Sequence, residues 1–178
     1  MTCHDARELF SALVDAALTG HFCVSQMRAN DAVDAVMRFA DLCSDPARAV
    51  PALVGVVSQR LVRRVCEDCQ ELDDPPPEER AKLGLSAEQT GLLRGSGCER
   101  CRGTGYRGRL GLFQVLAPDD ALRRLVLGGA DQSRLRDHLL TRGWRSLVRD
   151  GQDKAAGGVT STREVLRVTG DLIPGEGR

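Results

Sequence analysis

Seven cysteines stand in the 178-residue chain: Cys3, Cys23, Cys43, Cys66, Cys69, Cys98 and Cys101. Four of them form two C-x2-C pairs, Cys66/Cys69 and Cys98/Cys101, separated by the loop 70–97. A two-residue gap lets both sulfurs of a pair reach one ion from a tight turn. Two such knuckles supply the four thiolates that tetrahedral zinc accepts. Gly97 before the second knuckle, and Gly103 and Gly105 after it, allow the sharp turns such geometry needs. With four cysteine ligands no position is left for water, so the centre reads as structural, not catalytic. Other readings stand beside zinc: an iron–sulfur site, whose cysteines are usually more densely spaced, a thiol redox pair at a helix start, and buried thiols without metal. A nucleic-acid zinc ribbon is the functional competitor. Arg100, Arg102, Arg107 and Arg109 flank the second knuckle, but Glu67, Asp68, Glu71, Asp73 and Asp74 lie beside the first.

The remaining chemistry-bearing residues form no comparable pattern. Cys23 reads as a small buried hydrophobe. His4, His21 and His138 show no spacing that suits a catalytic metal. Nothing matches G-x-x-x-x-G-K-[ST], and the two lysines, Lys82 and Lys154, follow no glycine-rich loop. The glycines of GSG (95–97) and GTGYRG (103–108) read as knuckle turns rather than a phosphate cradle. No apolar strand ends in the acidic residues that would orient Mg2+ and water. Phosphoryl transfer depends on those groups, so the chain alone is not expected to bind and split ATP.

Composition narrows the classes further. Lys plus Arg and Asp plus Glu number 25 each, a formal net charge of +0, which gives no global pull on nucleic acid or an anionic membrane. Aromatics are 3%, too few for base-stacking platforms. No window holds the roughly 18 apolar residues of a membrane span, and the start lacks a basic-then-apolar leader. The odd cysteine count argues against a disulfide framework. A cytoplasmic location is expected.

The elements that must position the cysteines follow from local signals. Apolar spacing predicts a helix over 7–19, stopped by Gly20, then a short, mostly buried strand in HFCVS, at 22–25. Asp31 is placed to cap a helix from Ala32 to about Leu42, and Pro46 to open another. That second helix is expected to run through ARAVPALVGVVSQRLVRR, bent or divided at Pro51. Beyond the first knuckle, EERAKLG and SAEQTGLL read as short helices and RLGLFQVL as a strand. Helices follow after Asp119-Asp120, at about 131–141 and 144–156, and in TSTREVLRV with its cap at Thr160 or Ser161. The tail after Thr169 is expected to fray. One strand cannot form a sheet, so the N-terminal segment reads as a piece of an α/β layered domain.

The stretches AALTGHFCVSQMRANDAVDAVMRFADL, ALVGVVSQRLVRRVCEDC, CERCRGTGYRGRLGLFQVL and GWRSLVRDGQDKAAGGVTSTREVLRVTG resemble, in order, the C-terminal part of one family. This is the motor ATPase family of bacterial type II secretion and type IV pilus assembly. The resemblance runs from about residue 6 to residue 169. It implies a hexameric RecA-like ATPase at the cytoplasmic face of the inner membrane, driving assembly of a pilin-like filament. The implied fold class is α/β: a C-terminal remnant of a RecA-like P-loop NTPase core, a four-cysteine zinc module and a mostly helical C-terminal region. The corresponding division is 1–64, 65–116 and 117–170, with a flexible tail at 171–178.

Departures from the family pattern accompany the likeness. The Walker A loop, the acidic box and the Walker B strand have no counterpart, so a truncated or split motor is expected. The family's S-T-x-H-x-N box is Ser25-Gln26-Met27-Arg28-Ala29-Asn30 here. Arg28 and Asn30 are thereby implied nucleotide contacts, with ATP and Mg2+ belonging to the complete family protein. Gly143-Trp144 stands where the family has glycine-methionine. Asp150-Gly151, Lys154, Gly158 and Thr160 keep its closing pattern. The implied partners are copies of the chain, full-length motor subunits and inner-membrane platform proteins, with no nucleic acid and no direct membrane span. The alternative is a non-enzymatic docking module that joins a complete ATPase ring.

Overall fold

The computed structural model describes residues 3–172, with side chains from Arg7 onward. Helix α1 (Cys3–Leu18) ends where Gly20 takes a positive φ of 95°. Helix α2 (Ala32–Leu42) is capped by Asp31, which accepts the Asp34 N–H at 2.8 Å. Helix α3 (Pro46–Ala52) starts on Pro46, with Asp45 accepting the Ala47 and Arg48 N–H groups. Strand β1 (Val56–Val65), strand β2 (Gln70–Leu72), helix α4 (Pro77–Lys82), strand β3 (Leu93–Gly95) and strand β4 (Tyr106–Leu116) follow. The C-terminal helices are α5 (Asp120–Leu127), α6 (Gln132–Thr141), α7 (Leu147–Ala156) and α8 (Thr162–Thr169), capped by Asp119, Asp131, Ser146 and Ser161. Gly170–Leu172 continues as a 3-10 turn instead of fraying at Thr169, and Asp171 accepts from Arg60 at 2.6 Å. The rest of the expected tail, 173–178, lies outside the described residues.

Three local expectations are corrected. The buried strand at 22–25 is absent: residues 21–29 have no regular structure, and Phe22 is 88% and Val24 79% exposed, with Cys23 half-buried. An apolar run becomes a strand only where a neighbour supplies hydrogen bonds, and among the described residues none lines up beside it. The helix expected to continue past Pro51 ends at Ala52, and after the irregular residues 53–55 the chain from Val56 to Val65 is β1. Valines at 54, 56, 57, 62 and 65 favour an extended backbone, and burial alternates along Val56–Val62. SAEQTGLL is a turn leading into β3, which pairs antiparallel with β2 as Gln70↔Gly95, Glu71↔Arg94 and Leu72↔Leu93. Arg94 meets Glu71 across that pair at 2.9 Å, so three-residue strands replace the helix.

The chain forms two compact units, divided at Ser58/Gln59, Gln114/Val115 and Trp144/Arg145. In the first, Phe10, Val14, Cys43 and Ala49 make one apolar cluster, with Phe10 and Phe39 edge to face at 6.0 Å. Val33, Val36, Leu116, Leu122, Leu135 and Leu139 belong to another. In the second unit, Val62, Leu112 and Leu147 form one cluster and Leu83, Ala155 and Val165 a second.

Among the described residues, strands β1 and β4 pair only with each other. The Cys66 N–H donates to Gly105 O at 3.0 Å beyond one end, and Gly55 lies against Leu116 O at the other, so the ribbon is antiparallel. Its outer edges are met largely by side chains of the C-terminal segment. On the β1 edge, the Arg63 N–H donates to Glu164 at 2.9 Å and Thr160 donates to Arg63 O at 2.8 Å. Beside them the Val65 N–H donates to Val159 O at 3.0 Å. On the β4 edge, Lys154 donates to Gly111 O and the Phe113 N–H donates to Asp150, both at 2.8 Å. The Trp144 indole donates to Val115 O at 2.9 Å, something a methionine side chain, which has no donor, could not do.

Glu164 has no exposed surface. Its carboxylate accepts from the Arg63 guanidinium at 2.7 Å and from Arg167 at 2.8 and 2.7 Å. Burial opposes its ionisation, but the Arg167 and Arg63 donors outweigh that and hold the carboxyl down at about 2. A depressed folded-state value stabilises the fold above the ordinary carboxylate range and is lost as pH falls through it. Glu164→Gln should therefore cost about 1–3 kcal/mol at neutral pH. It should also flatten the loss of stability that the parent chain shows on acidification from about pH 4.5 towards 2. Denaturant unfolding of both proteins across that range checks this; equal acid sensitivity would contradict it.

Candidate metal centre

Strand β1 delivers Cys66 directly after Val65, and the chain turns at once, with the Cys69 N–H donating to Cys66 O at 3.3 Å. The second knuckle closes over a longer turn, its Gly103 N–H donating to Cys98 O at 2.9 Å and its Arg102 N–H to Glu99 O at 3.0 Å before β4 begins. Backbone bonds join the knuckles: Ser96 N–H to Cys69 O and Cys66 N–H to Gly105 O, both at 3.0 Å. Both pairs sit in turns, whereas a redox dithiol of the thioredoxin kind opens a helix.

Glycine makes this contact possible. A Cβ on Gly95 would lie 2.0 Å from Gly105 O, and one on Gly105 would lie 2.4 Å from Gly95 O. The strand entering the second knuckle therefore lies backbone to backbone against the strand leaving it. The sequence reads Gly95 as a knuckle turn; in the structure it ends β3 and serves a contact across the knuckle with Gly105.

The four sulfurs lie within 4.8 Å of one another. Separations are 4.0 Å for Cys66–Cys98, 3.9 Å for Cys69–Cys101 and 3.7 Å for Cys98–Cys101. Four sulfurs around zinc at about 2.3 Å are about 3.8 Å apart at tetrahedral angles, so the cluster fits a structural zinc ion. Cys66 and Cys101 are buried and Cys69 and Cys98 half-buried. The Cys98 and Gly105 N–H groups point at the Cys101 sulfur, at 3.1 and 3.2 Å. They hold that thiol down at about 6 against the opposing effect of burial, the Cys98 N–H contributing most. Cys69 is pushed up to about 12, chiefly by burial, with the neighbouring thiols adding to it. Burial likewise raises Cys66. Four thiolates cannot share this space without a cation, and a divalent ion supplies the missing charge.

The other sequence-derived candidates lie in the first unit. Arg28 and Asn30 are exposed on the irregular segment before α2, and the Asn30 N–H donates to Asp34 at 2.8 Å. His138 lies 3.2 Å from Asp119, the cap of α5, and His21 lies 3.2 Å from Thr19 at the end of α1. Among the described residues the four cysteines are the one cluster suited to a metal.

Protein purified without chelator should carry about one zinc per chain. Cys66→Ser should lower that content and speed amide exchange over residues 66–106, read by elemental analysis and hydrogen-exchange mass spectrometry. Gly95→Ala should do the same with every thiol intact. Freshly reduced parent protein without zinc would contradict the assignment.

A family model described as type II/IV secretion system protein matches residues 6–167. The chain is 42% identical over 158 residues to the type IV pilus assembly ATPase PilB of Thermus thermophilus, covering 87% of this chain and 18% of that protein. It is 39% identical over 157 residues to the type II secretion system ATPase E of Vibrio cholerae, covering 88% and 31%. It is 36% identical over 158 residues to the type IV pilus assembly ATPase TfpB of Acinetobacter baylyi, covering 87% and 27%. The chain thus spans less than a third of the length of these relatives. Match and motif order agree across most of its length, and the chain belongs to the type II/IV secretion system protein family.

Proposed function

We propose that this chain is the C-terminal, zinc-bearing part of a secretion or pilus-assembly motor ATPase. In this reading it contributes to assembly of a hexameric ring. It also helps couple ATP hydrolysis to building a pilin-like filament at the cytoplasmic face of the inner membrane, alongside platform proteins. The four-cysteine centre, in its family place after the core-like segment, carries the reading. A closed sulfur shell does no chemistry on substrate; it fixes the shape of a surface. The proposed functional division is 1–64 for the core-like part, 65–116 for the zinc module and 117–170 for the helical region. No helix among the described residues is long and apolar enough to cross a membrane.

Hydrolysis belongs, on this reading, to a longer polypeptide or a complete ring. The 178 residues hold no G-x-x-x-x-G-K-[ST] loop, and catalysis of this transfer is almost entirely positioning and electrostatics. Arg28 and Asn30, both exposed, would contact nucleotide at the edge of a site whose phosphate cradle another segment supplies. Arg28 offers a fixed charge there and no exchangeable proton near neutral pH. The missing loop also favours a second reading, a docking module that joins full-length motor subunits without completing their active sites.

The chain alone should show no ATP turnover above background. Mixed with a separately made N-terminal segment of the Vibrio cholerae relative, it should restore turnover, and Arg28→Ala should reduce the restored rate about tenfold or more. Silence in the mixture, with co-sedimentation on an intact ring, would favour the docking module. Turnover by the zinc-loaded chain alone would overturn the proposal.

A further inference from the structure

The two knuckles carry opposite charges at equivalent places. The first reads Cys66-Glu67-Asp68-Cys69 and the second Cys98-Glu99-Arg100-Cys101. Arg100 Nη1 donates to Asp68 Oδ1 at 3.0 Å. Arg107, just beyond the second knuckle on β4, places its Nη1 3.6 Å from Asp68 Oδ2. That same oxygen lies 3.8 Å from the Cys66 sulfur. One carboxylate therefore touches a sulfur of the first knuckle and gathers two guanidinium groups from the far side of the centre.

We infer that Asp68 is a positioning residue of the metal centre. It holds Arg100 and Arg107 beside the four sulfurs, fastens one knuckle to the other, and slows release of the ion. The inference rests on the zinc reading of the cluster. A divalent ion bound by four thiolates leaves a local excess of negative charge. An unpaired carboxylate next to Cys66 would add to it, whereas one carrying two arginines brings positive charge in. An isolated exposed ion pair contributes little, largely because two long side chains must be ordered. Here the acid sits inside a two-residue chelate turn, fixed once both flanking sulfurs bind. The first knuckle then cannot swing away from the second without also breaking the Arg100 contact.

The test uses the intact chain loaded with zinc and times transfer of the ion to an excess of a chromogenic chelator. Asp68→Asn and Arg100→Gln should each bind the full complement of zinc, with an unchanged thiolate-to-cobalt absorption spectrum after cobalt substitution. Each should release the ion about tenfold faster, the low end of what outer contacts to metal ligands contribute. The double variant should be no faster than Asp68→Asn alone, because the Arg100 contact is already lost when the carboxylate is removed. Asp68→Glu should recover part of the loss. High salt should quicken release from the parent chain and change the variants little. Full zinc binding with unchanged release in the variants, multiplicative effects in the double variant, or salt-independent release from the parent would each overturn the inference while leaving the zinc reading intact. A parent chain that takes up no zinc would overturn both.

Discussion

A β-ribbon of two strands has no protected edge. Each strand turns half its backbone N–H and C=O groups outward, where they must find partners or remain open to other chains. Here β1 and β4 are that ribbon, and the C-terminal segment closes it from both sides. Lys154 and Asp150 on α7 meet the Gly111 carbonyl and the Phe113 N–H. Thr160, Val159 and Glu164 meet the outward groups of Arg63 and Val65. The Asp-Gly, Lys, Gly and Thr pattern near the end of the chain thereby gains a physical meaning. The polar residues replace missing strands, and the glycines admit close packing: a Cβ on Gly151 would meet Val165 at 2.5 Å, and one on Gly158 would meet Leu93 at 2.7 Å. Ser161 and Glu164 have capping-box spacing, and Ser161 does accept the Glu164 N–H at 3.2 Å. The carboxylate, however, is committed to Arg63 of β1, so a helix start also serves as a strand partner.

The metal centre closes the end of the same ribbon. Cys66 follows the last residue of β1, and Gly105, bonded to the Cys66 N–H, precedes the first residue of β4. An ion bound by all four sulfurs therefore ties the two strand ends and the β2–β3 pair at one point. It takes the place of an apolar core that short, polar strands cannot supply. β2 has three exposed residues, Gln70, Glu71 and Leu72, which leaves little apolar burial there. Metal-binding energy is folding energy in such a setting. The centre's contribution to the family's motor function is, on the proposed reading, a fixed surface rather than a reaction.

What was legible in the sequence was what local chemistry decides. Asp31 and Ser161 cap the helices that follow them, and helices open at Pro46 and after Asp119 as read, because such starts are set by residues two or three apart. Asp131 and Ser146 act in the same way, although only the extents of their helices were read from the sequence. The cysteine pairs were legible for the same reason, each knuckle being a closed local turn. Pairing between distant segments was not. β1 has apolar residues that suit either period, and its strand identity comes from β4, some fifty residues on. HFCVS has strand composition but no partner among the described residues, so its apolar side chains stay exposed. Gly95 and Asp68 owe their roles to contacts across the knuckles, with Gly105 and Arg100. The mirrored pair Glu67-Asp68 and Glu99-Arg100 was the one available hint of the second. Trp144 was legible only as a departure, and its indole bond to Val115 explains what the change supplies.

The central claim is that two independent fasteners hold the ribbon: the metal at its end, and the C-terminal side chains along its edges. Amide hydrogen exchange resolved to single residues, with zinc bound and after chelation, tests it most directly. Removing zinc should strip protection from the amides of Cys66, Ser96, Gly103 and Gly105, which lie in and between the knuckles. It should leave Arg63 and Phe113, held by Glu164 and Asp150, largely protected. Loss of protection at all of these together would show that the metal alone supports the unit, and unchanged protection at the knuckles would show that it does not support them; either contradicts the claim.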